Sequence, residues 1–263
     1  MQAMLDKIIP MLIAASHEEL IERFEQVGHQ FKTDGSVVTE ADLAMQDRIQ
    51  TELAQAWPEY KFLGEEMSVE QQQAMLKNSE EGLWCLDPLD GTSNYAMGIP
   101  YFAPSLAFIQ QGQVKLGVVY DPLRKECFSA IKGHGAWLNG QPIKLLAKDC
   151  PEQAAIAIVD FKRLPTGLAT SLVTDPPYKS QRSFGSVALD WCWMAAGRSH
   201  VYVHGRQNIW DYAAGQLIFE EAGGYSSTLQ GDSVFSDKLE ARSAVAALSK
   251  SLYESWYQRL QQW

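Results

Sequence analysis

Acidic residues stand at three points of the chain where their type and spacing could support chemistry. The segments read GEE at 64–66, DPLDGT at 87–92 and WD at 210–211. The first two follow apolar runs, and loops at strand ends commonly carry binding groups because a rigid scaffold holds them. Each segment alone also has a plain interpretation, as a solvated loop pair, as turn residues at a strand end, or as a helix N-cap. Either they are turn and capping residues, or the carboxylates are collected for a reaction.

The elements that position these segments can be predicted from hydrophobic periodicity. Apolar residues at helical spacing predict an N-terminal helix through about Gln26. Thr39 is the predicted N-cap of a second helix that carries Asp42 in its first turn, places Leu43, Ile49 and Leu53 on one face, and ends before Pro58. Short strands, YKFL and GLWCL, lead into GEE and DPLDGT, with a helix predicted over VEQQQAMLKNS between them.

The remaining segments predict mixed helix and strand in both halves of the chain. PSLAFIQ, QVKLGVVYD and KECFSAI read as consecutive strands, and Asn139-Gly140 as a hairpin turn. A polar break at 147–153 is the candidate boundary between two lobes. Beyond it, AAIAIVD, VYVH and YSSTL read as strands, and LPTGLATSLV, ALDWCWMAAG and YAAGQLIFEEAGG as helices. Several consecutive strands favour a layered α+β fold over an alternating barrel.

Composition excludes several classes of partner. The chain has 32 acidic and 22 basic residues, a net charge of −10 and a pI near 5.0. This charge disfavours binding to nucleic acids and to anionic membranes, although a small anion held by a metal remains possible. The sequence contains no run of about 18 or more apolar residues, so we expect no membrane span. The N-terminal apolar run lacks the basic flank of a signal peptide, and four scattered cysteines indicate reduced thiols, so we expect a cytoplasmic protein.

The order of the motifs resembles a known family. KTDGSVVTEAD at 32–42, GEE, DPLDGT and WDYAAG together resemble the inositol monophosphatase family of metal-dependent phosphatases. The resemblance implies an αβαβα sandwich of the inositol monophosphatase and fructose-1,6-bisphosphatase type, formed by residues 1–263 as one unit. It further implies a homodimer that hydrolyses small phosphate monoesters, uses two or three Mg²⁺ ions per active site and is sensitive to lithium. The lobes are then a metal-site lobe at about 1–147 and a substrate lobe at about 153–263.

The resemblance also assigns roles to individual residues. The metal ligands that it implies are Glu65, Asp87, the backbone carbonyl of Leu89, Asp90 and Asp211. Asp42 and Thr92 match the pair that polarises the attacking water, with Glu65 counted beside them as catalytic. Lys32 matches a loop lysine near the outer metal, and Glu66 a residue supporting the metal-binding glutamate.

Divalent cations explain how an acidic protein could bind an anionic ester. Crowded carboxylates would repel a phosphate dianion, whereas bound Mg²⁺ makes the site attractive to it. A pair of metals can clamp the attacking and leaving oxygens, so no covalent nucleophile is needed. Gly91 lets the backbone approach the phosphate, and the N–H groups of Gly91 and Thr92 are candidate donors to it.

The choice of substrate depends on residues outside the metal ligands. By the resemblance, Gly185, Ser186 and Val187 contact the alcohol portion, and Asp211 also faces the substrate. His204 falls where many inositol-specific members carry a glutamate, which puts a preference for inositol phosphate in doubt. We therefore expect an inositol or sugar monophosphatase first, and a histidinol-phosphate phosphatase or 3′-phosphoadenosine 5′-phosphate phosphatase second. A non-catalytic regulatory or RNA-associated protein on the same fold is the remaining alternative.

Overall fold

A computed structural model describes residues 1–24, 29–31, 37–77, 80–145 and 150–262, with residues 29–31 and 37 described by their backbone alone. The helices in these ranges are α1 (Gln2–Ala15), α2 (Glu40–Ala56), α3 (Val69–Leu76), α4 (Thr92–Ala96), α5 (Thr166–Thr174), α6 (Val187–Ala195), α7 (Ile209–Glu221) and α8 (Lys250–Leu260). The strands are β1 (His29–Phe31), β2 (Val37–Thr39), β3 (Lys61–Gly64), β4 (Leu83–Asp90), β5 (Ala103–Gln110), β6 (Gln113–Asp121), β7 (Glu126–Ile131), β8 (Gly135–Leu138), β9 (Gln141–Ile143), β10 (Ile156–Asp160), β11 (Ser180–Arg182), β12 (Val201–Gln207), β13 (Tyr225–Ser227) and β14 (Arg242–Ala247).

The larger sheet runs β3-β4-β5-β6-β7-β8-β9 through the described residues. Strands β3 and β4 are parallel, and each later neighbour is antiparallel. Asn139 and Gly140 have φ of 50° and 74°, as a two-residue hairpin turn between β8 and β9 requires. The predicted hairpin is therefore confirmed. Outside the sheets, β1 and β2 form a short antiparallel pair.

The smaller sheet runs β11-β10-β12-β14-β13 through the described residues. Strands β11, β10 and β12 are mutually parallel, and β14 and β13 are antiparallel to their neighbours. Carboxyl ends of parallel strands meet at one edge of a sheet, where open α/β sheets usually bind ligands. The segments that follow β10, β11 and β12 therefore begin at the same edge.

The buried side chains show five layers. In β4, Cys85 packs with α6, α7 and the smaller sheet, whereas Trp84 packs with α1 and α2. On the far face of the smaller sheet, Val203 packs with α5 and α8. Alternate residues of one strand face opposite sides of the sheet, and both faces of each sheet pack against another layer. The order helix, sheet, helix, sheet, helix confirms the predicted αβαβα sandwich.

Some details differ from the predicted elements. Leu43 was expected on the apolar face of α2 but is 49% exposed, because Met45, Ile49 and Leu53 at four-residue spacing form that face. The α-helical part of the N-terminal helix ends at Ala15 and continues as a π-helical segment, Ser16–Ile21. Strand β14 and helix α8 have no counterpart among the predicted elements.

Two further points concern the organisation of the chain. Helix α7 comes from the C-terminal half yet packs on β5 and β6 of the larger sheet. The division into lobes at 147–153 stays a prediction. None of the helices in the described part of the chain has the length and apolar character needed to cross a bilayer.

Candidate active site

Asp87 and Asp90 lie on the last part of β4, on either side of a bulge. Asp87 is opposite Ser105 and Asp90 is opposite Ala103, so two residues of β4 oppose one of β5. The expected strand-end turn is therefore a β-bulge within the strand, a place that tolerates proline. The backbone N–H of Leu89 donates to Asp87 Oδ1 at 3.0 Å. The bulge separates the two carboxylates while keeping both on a fixed strand.

Gly91 and Thr92 turn the chain into α4 directly after this strand. Gly91 has φ of 94°, and a Cβ there would lie 2.9 Å from the carbonyl oxygen of Tyr101. The position therefore requires glycine. Thr92 Oγ1 lies 3.0 Å from Asp42 Oδ1 and 3.0 Å from the Leu89 carbonyl oxygen. The Thr92 hydroxyl thus lies between Asp42 at the start of α2 and the Leu89 carbonyl of the DPLDGT segment.

Asp42 serves both the helix and the site. Its Oδ2 accepts bonds from the N–H of Thr39 at 2.7 Å and from Thr39 Oγ1 at 2.6 Å, which completes the capping box of α2. The predicted N-cap at Thr39 is therefore confirmed. Burial raises the pKa of Asp42 to about 6, and Glu66 adds to the rise although the Thr39 bonds oppose it. The other carboxylate oxygen remains directed at Thr92.

The GEE segment is held beside β4 by backbone and amide contacts. The N–H of Glu65 donates to the Leu86 carbonyl at 3.1 Å, which places Glu65 next to Asp87. Gln46 Oε1 accepts from the N–H of Glu66 at 3.0 Å, and Gln72 Nε2 donates to the Glu65 carbonyl at 3.1 Å. Both glutamines are buried, and neither was predicted. Their burial and their contacts appear only in the structure, so no sequence signal marked them.

Asp211 is the third residue of α7, whose N-cap is Asn208. Its Oδ2 accepts from the N–H of Asn208 at 2.8 Å. Ser105, which is opposite Asp87 in the sheet, donates from Oγ to the Trp210 carbonyl at 3.1 Å. The start of α7 is thereby anchored beside Asp87. Asp211 acts as a capping residue and also belongs to the acidic group.

The electrostatics show that the four acidic residues form one cluster. Burial raises the pKa of Asp87 well above its usual value, and Glu65, Asp90 and Asp211 raise it further. Burial likewise raises the pKa values of Asp90 and Asp211 to about 7 each. Ser186 Oγ and the N–H of Ala188 oppose this for Asp90, donating to its Oδ2 at 2.7 and 2.6 Å. Carboxylates from β4, the β3 end and α7 therefore repel one another in a buried place.

This donor set has the chemistry of a site for a hard divalent cation. Within the described ranges, no three aspartate, glutamate, histidine or cysteine side chains form a ready-made ligand set around one centre. Asp87, Asp90 and Asp211 instead accept hydrogen bonds from neighbouring donors. Mg²⁺ is normally bound by one or two carboxylates, with waters and substrate phosphate completing its shell. Mutually repelling buried carboxylates next to the Leu89 carbonyl have the chemistry that such ions neutralise.

The remaining predicted residues lie around this cluster or outside the description. Gly185 is exposed with φ of 86°, Ser186 is the buried N-cap of α6, and Val187 is the first residue of that helix. Lys32 lies outside the described residues. The structure places His204 2% exposed behind Asp160, with 3.1 Å between His204 Nε2 and Asp160 Oδ2. Its side chain is therefore bonded within the protein.

Further polar residues near the cluster were not predicted. Asp190 is buried and accepts from Tyr101 Oη at 3.1 Å, and Asp90 contributes to raising its pKa after burial. Asp160 pairs with Arg163 three residues on. The Asp-x-x-Arg spacing after an apolar strand was a usable signal, whereas no local pattern marks Asp190.

The sequence and the fold are similar to those of known proteins. The sequence model described as the inositol monophosphatase family matches residues 3–263. Inositol monophosphatase 1 of Solanum lycopersicum is 35% identical over 243 residues, covering 90% of this chain and 86% of that protein. Nus factor SuhB of Pseudomonas aeruginosa is 34% identical over 253 residues, covering 90% of each chain. A staphylococcal inositol monophosphatase-1 structure soaked in 100 mM LiCl has a TM-score of 0.86 at 25% identity, covering 98% of this chain and 94% of that one. The family model and these relatives cover nearly the whole chain, including the acidic motifs. The protein therefore belongs to the inositol monophosphatase family.

Proposed function

We propose that this chain is a Mg²⁺-dependent phosphatase that hydrolyses a small phosphate monoester, such as an inositol or sugar monophosphate, without a covalent intermediate. The observation that carries the proposal is the buried acidic cluster. Burial raises the pKa of Asp87, and the negative charges of Glu65 and Asp211 raise it further. A fold that places carboxylates in mutual repulsion gains nothing in stability from them, so their collection indicates a cation-dependent role.

The ligands for two or three ions would come from the cluster and one backbone atom. They are Glu65, Asp87, the Leu89 carbonyl, Asp90 and Asp211. When bound, Mg²⁺ supplies charge neutralisation of the phosphoryl oxygens and activation of water. Glu66 supports the set through the GEE backbone, whose N–H at Glu66 is held by Gln46.

Asp42 and Thr92 have the arrangement of a proton-accepting pair. Thr92 Oγ1 donates to Asp42 Oδ1 at 3.0 Å, so an oxygen lone pair of Thr92 remains available toward a reacting water. A proton received at Thr92 Oγ1 can be matched by transfer of the hydroxyl proton to Asp42 Oδ1. With a pKa raised to about 6, Asp42 is a stronger proton acceptor than an ordinary aspartate.

The substrate side of the site is formed by two loops. The N–H groups of Gly91 and Thr92 stand at the start of α4, where they are candidate donors to phosphate. Gly185, Ser186 and Val187 are candidates for contact with the alcohol portion, and Asp211 is a further candidate for contact with the substrate. Ser186 donates to Asp90 at 2.7 Å, so the proposed alcohol contacts are tied directly to the metal cluster.

The direct test is a phosphate-release assay over inositol 1-phosphate, a sugar monophosphate, histidinol phosphate and 3′-phosphoadenosine 5′-phosphate. We expect activity that requires Mg²⁺, is abolished by EDTA and is inhibited by Li⁺. Asp90→Asn should remove nearly all of it. Asp47→Asn, which removes an exposed carboxylate from α2, is the matched control and should not change it. Turnover that persists in excess EDTA would refute the metal mechanism.

A regulatory or RNA-associated role is the second candidate, because several relatives carry the name Nus factor SuhB. The net charge of −10 disfavours direct contact with RNA. Retention of the full carboxylate set and of Thr92 also favours the enzyme. Absence of hydrolysis over the whole panel, together with saturable RNA binding at physiological salt, would reverse this ranking.

The proposal includes a homodimer that functions in the cytoplasm. Met97 and Ile99 follow α4 and are 61% and 48% exposed, an apolar pair suited to burial in an interface. The four cysteines are thiols, as expected in a reducing compartment. Sedimentation equilibrium tests the oligomeric state: Ile99→Lys should shift the mass from dimer to monomer, and a monomeric wild type would refute this part.

A further inference from the structure

The turn after β10 lies at the same edge of the smaller sheet as the acidic cluster. Strands β10 and β12 are parallel neighbours, with Asp160 aligned with His204. A 3-10 turn, Phe161–Arg163, follows β10, and α7 with Asp211 in its first turn follows β12. The turn is pressed on β12, because a Cβ at Gly205 would lie 1.8 Å from the Arg163 carbonyl oxygen. The backbone of Arg163 is therefore fixed beside the site.

The side chain of Asp160 holds this turn and the Arg163 guanidinium. Its Oδ1 accepts from the N–H of Arg163 at 3.2 Å, and its Oδ2 forms an ion pair with Arg163 Nη1. His204 Nε2 lies 3.1 Å from the same Oδ2. Burial does not neutralise Asp160, because His204 and Arg163 hold its pKa well below the usual range. One carboxylate thus joins a buried histidine to an exposed arginine.

The hydrogen bonds of His204 identify its proton. Its Nδ1 accepts from the N–H of Arg206 at 3.2 Å, so the ring proton is on Nε2 and is donated to Asp160. Burial lowers the pKa of His204, which keeps the ring neutral. The neutral histidine therefore orients Asp160 and leaves its negative charge to pair with Arg163.

Arg163 is placed to act on a ligand of the cluster. Its side chain is 47% exposed, and the turn that carries it contacts β12, whose chain continues directly into α7 and Asp211. The described bond to Asp160 uses one of the five N–H donors of a guanidinium, so others can reach a ligand. A fixed guanidinium fork recognises carboxylate and phosphate groups.

We propose that Arg163, oriented by Asp160 and through it by His204, is a specificity residue that selects phosphate esters carrying a second anionic group over neutral polyol phosphates. This inference rests on the proposed phosphatase function and names its substrate class. The scissile phosphate is assigned to the metal cluster, and the second anion, a phosphate or a carboxylate, to Arg163. The ammonium group of histidinol phosphate is disfavoured at this place, whereas the second phosphate of 3′-phosphoadenosine 5′-phosphate is favoured.

The test compares substrates that differ in one group. 3-Phosphoglycerate and glycerol 1-phosphate differ by a carboxylate in place of a hydroxymethyl group, and fructose 1,6-bisphosphate and fructose 1-phosphate by a second phosphate. We expect the wild-type kcat/KM to be higher for the member of each pair that carries the second anionic group. Arg163→Gln should lower this preference by about ten- to hundredfold, mainly through KM, and Arg163→Lys should restore part of it. The pair with the larger preference identifies which second anion is recognised.

Two variants separate positioning from general charge. Lys162→Gln removes one charge from the same exposed turn and should leave the preference unchanged. Asp160→Asn can still cap the turn and keeps the charge of Arg163, yet should lower the preference because the guanidinium loses its ion pair. Melting temperatures establish that each variant is folded. An equal loss with Lys162→Gln, or an equal loss on both members of a pair with Arg163→Gln, would overturn the inference.

Binding by isothermal titration calorimetry separates this inference from the proposed function. If the wild type hydrolyses none of these probes and none of the esters in the phosphate-release assay above, the phosphatase proposal fails. Tighter binding of 3-phosphoglycerate than of glycerol 1-phosphate, lost in Arg163→Gln, would still support anion selection by Arg163. Equal binding of the two probes by the wild type would overturn it, whether or not hydrolysis occurs.

Discussion

Replacement of Asp90 by asparagine tests whether the acidic cluster is assembled at a cost to stability. The change removes one charge from the cluster while keeping the shape of the side chain. An asparagine Oδ1 can still accept from Ser186 Oγ and from the N–H of Ala188, which donate to Asp90 at 2.7 and 2.6 Å. We therefore expect Asp90→Asn to be more stable than the wild type after metal is removed by chelation, although it is inactive.

The magnitude follows from the pKa of Asp90, which burial raises from 3.8 to about 7, with Glu65 adding to the rise. One pKa unit corresponds to about 1.4 kcal/mol, so an ionised Asp90 costs the chelated folded state at most about 4 kcal/mol at pH 8. Asp90 is partly exposed and its charge is shared with neighbouring carboxylates. We therefore expect a gain of about 2–4 kcal/mol in the free energy of unfolding.

The pH dependence has a definite sign. The folded-state pKa is higher than the unfolded-state value, so the wild type pays no cost below about pH 4. The cost grows as the pH rises toward about 7 and is constant above it. The stability advantage of Asp90→Asn should therefore be largest at pH 8 and smaller at pH 5. Mg²⁺ should cancel most of this advantage, because a ligand at about 100 times its Kd adds about 2.7 kcal/mol to the form that binds it.

Urea unfolding followed by circular dichroism measures these differences at pH 5 and pH 8, in EDTA and in Mg²⁺. Asp47→Asn removes an exposed carboxylate and controls for the change in net charge. An Asp90→Asn protein that is less stable than the wild type in EDTA at pH 8 would refute the account of repulsion. So would an equal stabilisation by Mg²⁺ of the wild type and of Asp90→Asn.

Three further predictions concern the neighbours of the cluster. Thr92→Val should lower kcat by about 10²–10⁴-fold while Thr92→Ser retains most activity, because only the hydroxyl accepts and relays a proton; kcat at saturating Mg²⁺ measures this. Gly205→Ala should lower the free energy of unfolding by about 1–3 kcal/mol or more, since its Cβ meets backbone at 1.8 Å; Gly167→Ala, which meets nothing within 4 Å, should not be destabilised in urea. Gln72→Glu should raise the Mg²⁺ concentration for half-maximal activity by about 10–100-fold because it removes the donor to the GEE carbonyls, while exposed Gln73→Glu should leave it unchanged.

Features that depend on a few neighbouring residues could be predicted well. Thr39 caps α2 with Asp42 as its partner three residues on, and Asn139-Gly140 forms the hairpin turn. The one misplaced core residue, Leu43, lies two positions before Met45 and so on the opposite side of α2. Local spacing was enough for the caps and the turn, whereas the buried face of a helix depends on what packs against it.

The DPLDGT segment was predictable from the sequence in its residues but not in its backbone conformation. Asp87 and Asp90 were identified from the sequence, but a turn was expected where the structure has a bulge. A bulge is defined by the partner strand, here Ser105 opposite Asp87. Its geometry is therefore a property of strand pairing and not of the segment alone.

By itself, the sequence determined which residues are available for chemistry and the order of the elements that carry them. Motif spacing and apolar periodicity are local properties, so the acidic segments and most of the helices and strands were predictable from them, whereas the αβαβα order and the role of Thr92 came from the resemblance of the motifs to a known family. Only the tertiary structure decided that Ser186 bonds to Asp90 and that His204 lies behind Asp160 with Arg163 in front. Those contacts join residues on different strands and helices, and their geometry depends on sheet register and packing, which no short stretch of sequence encodes.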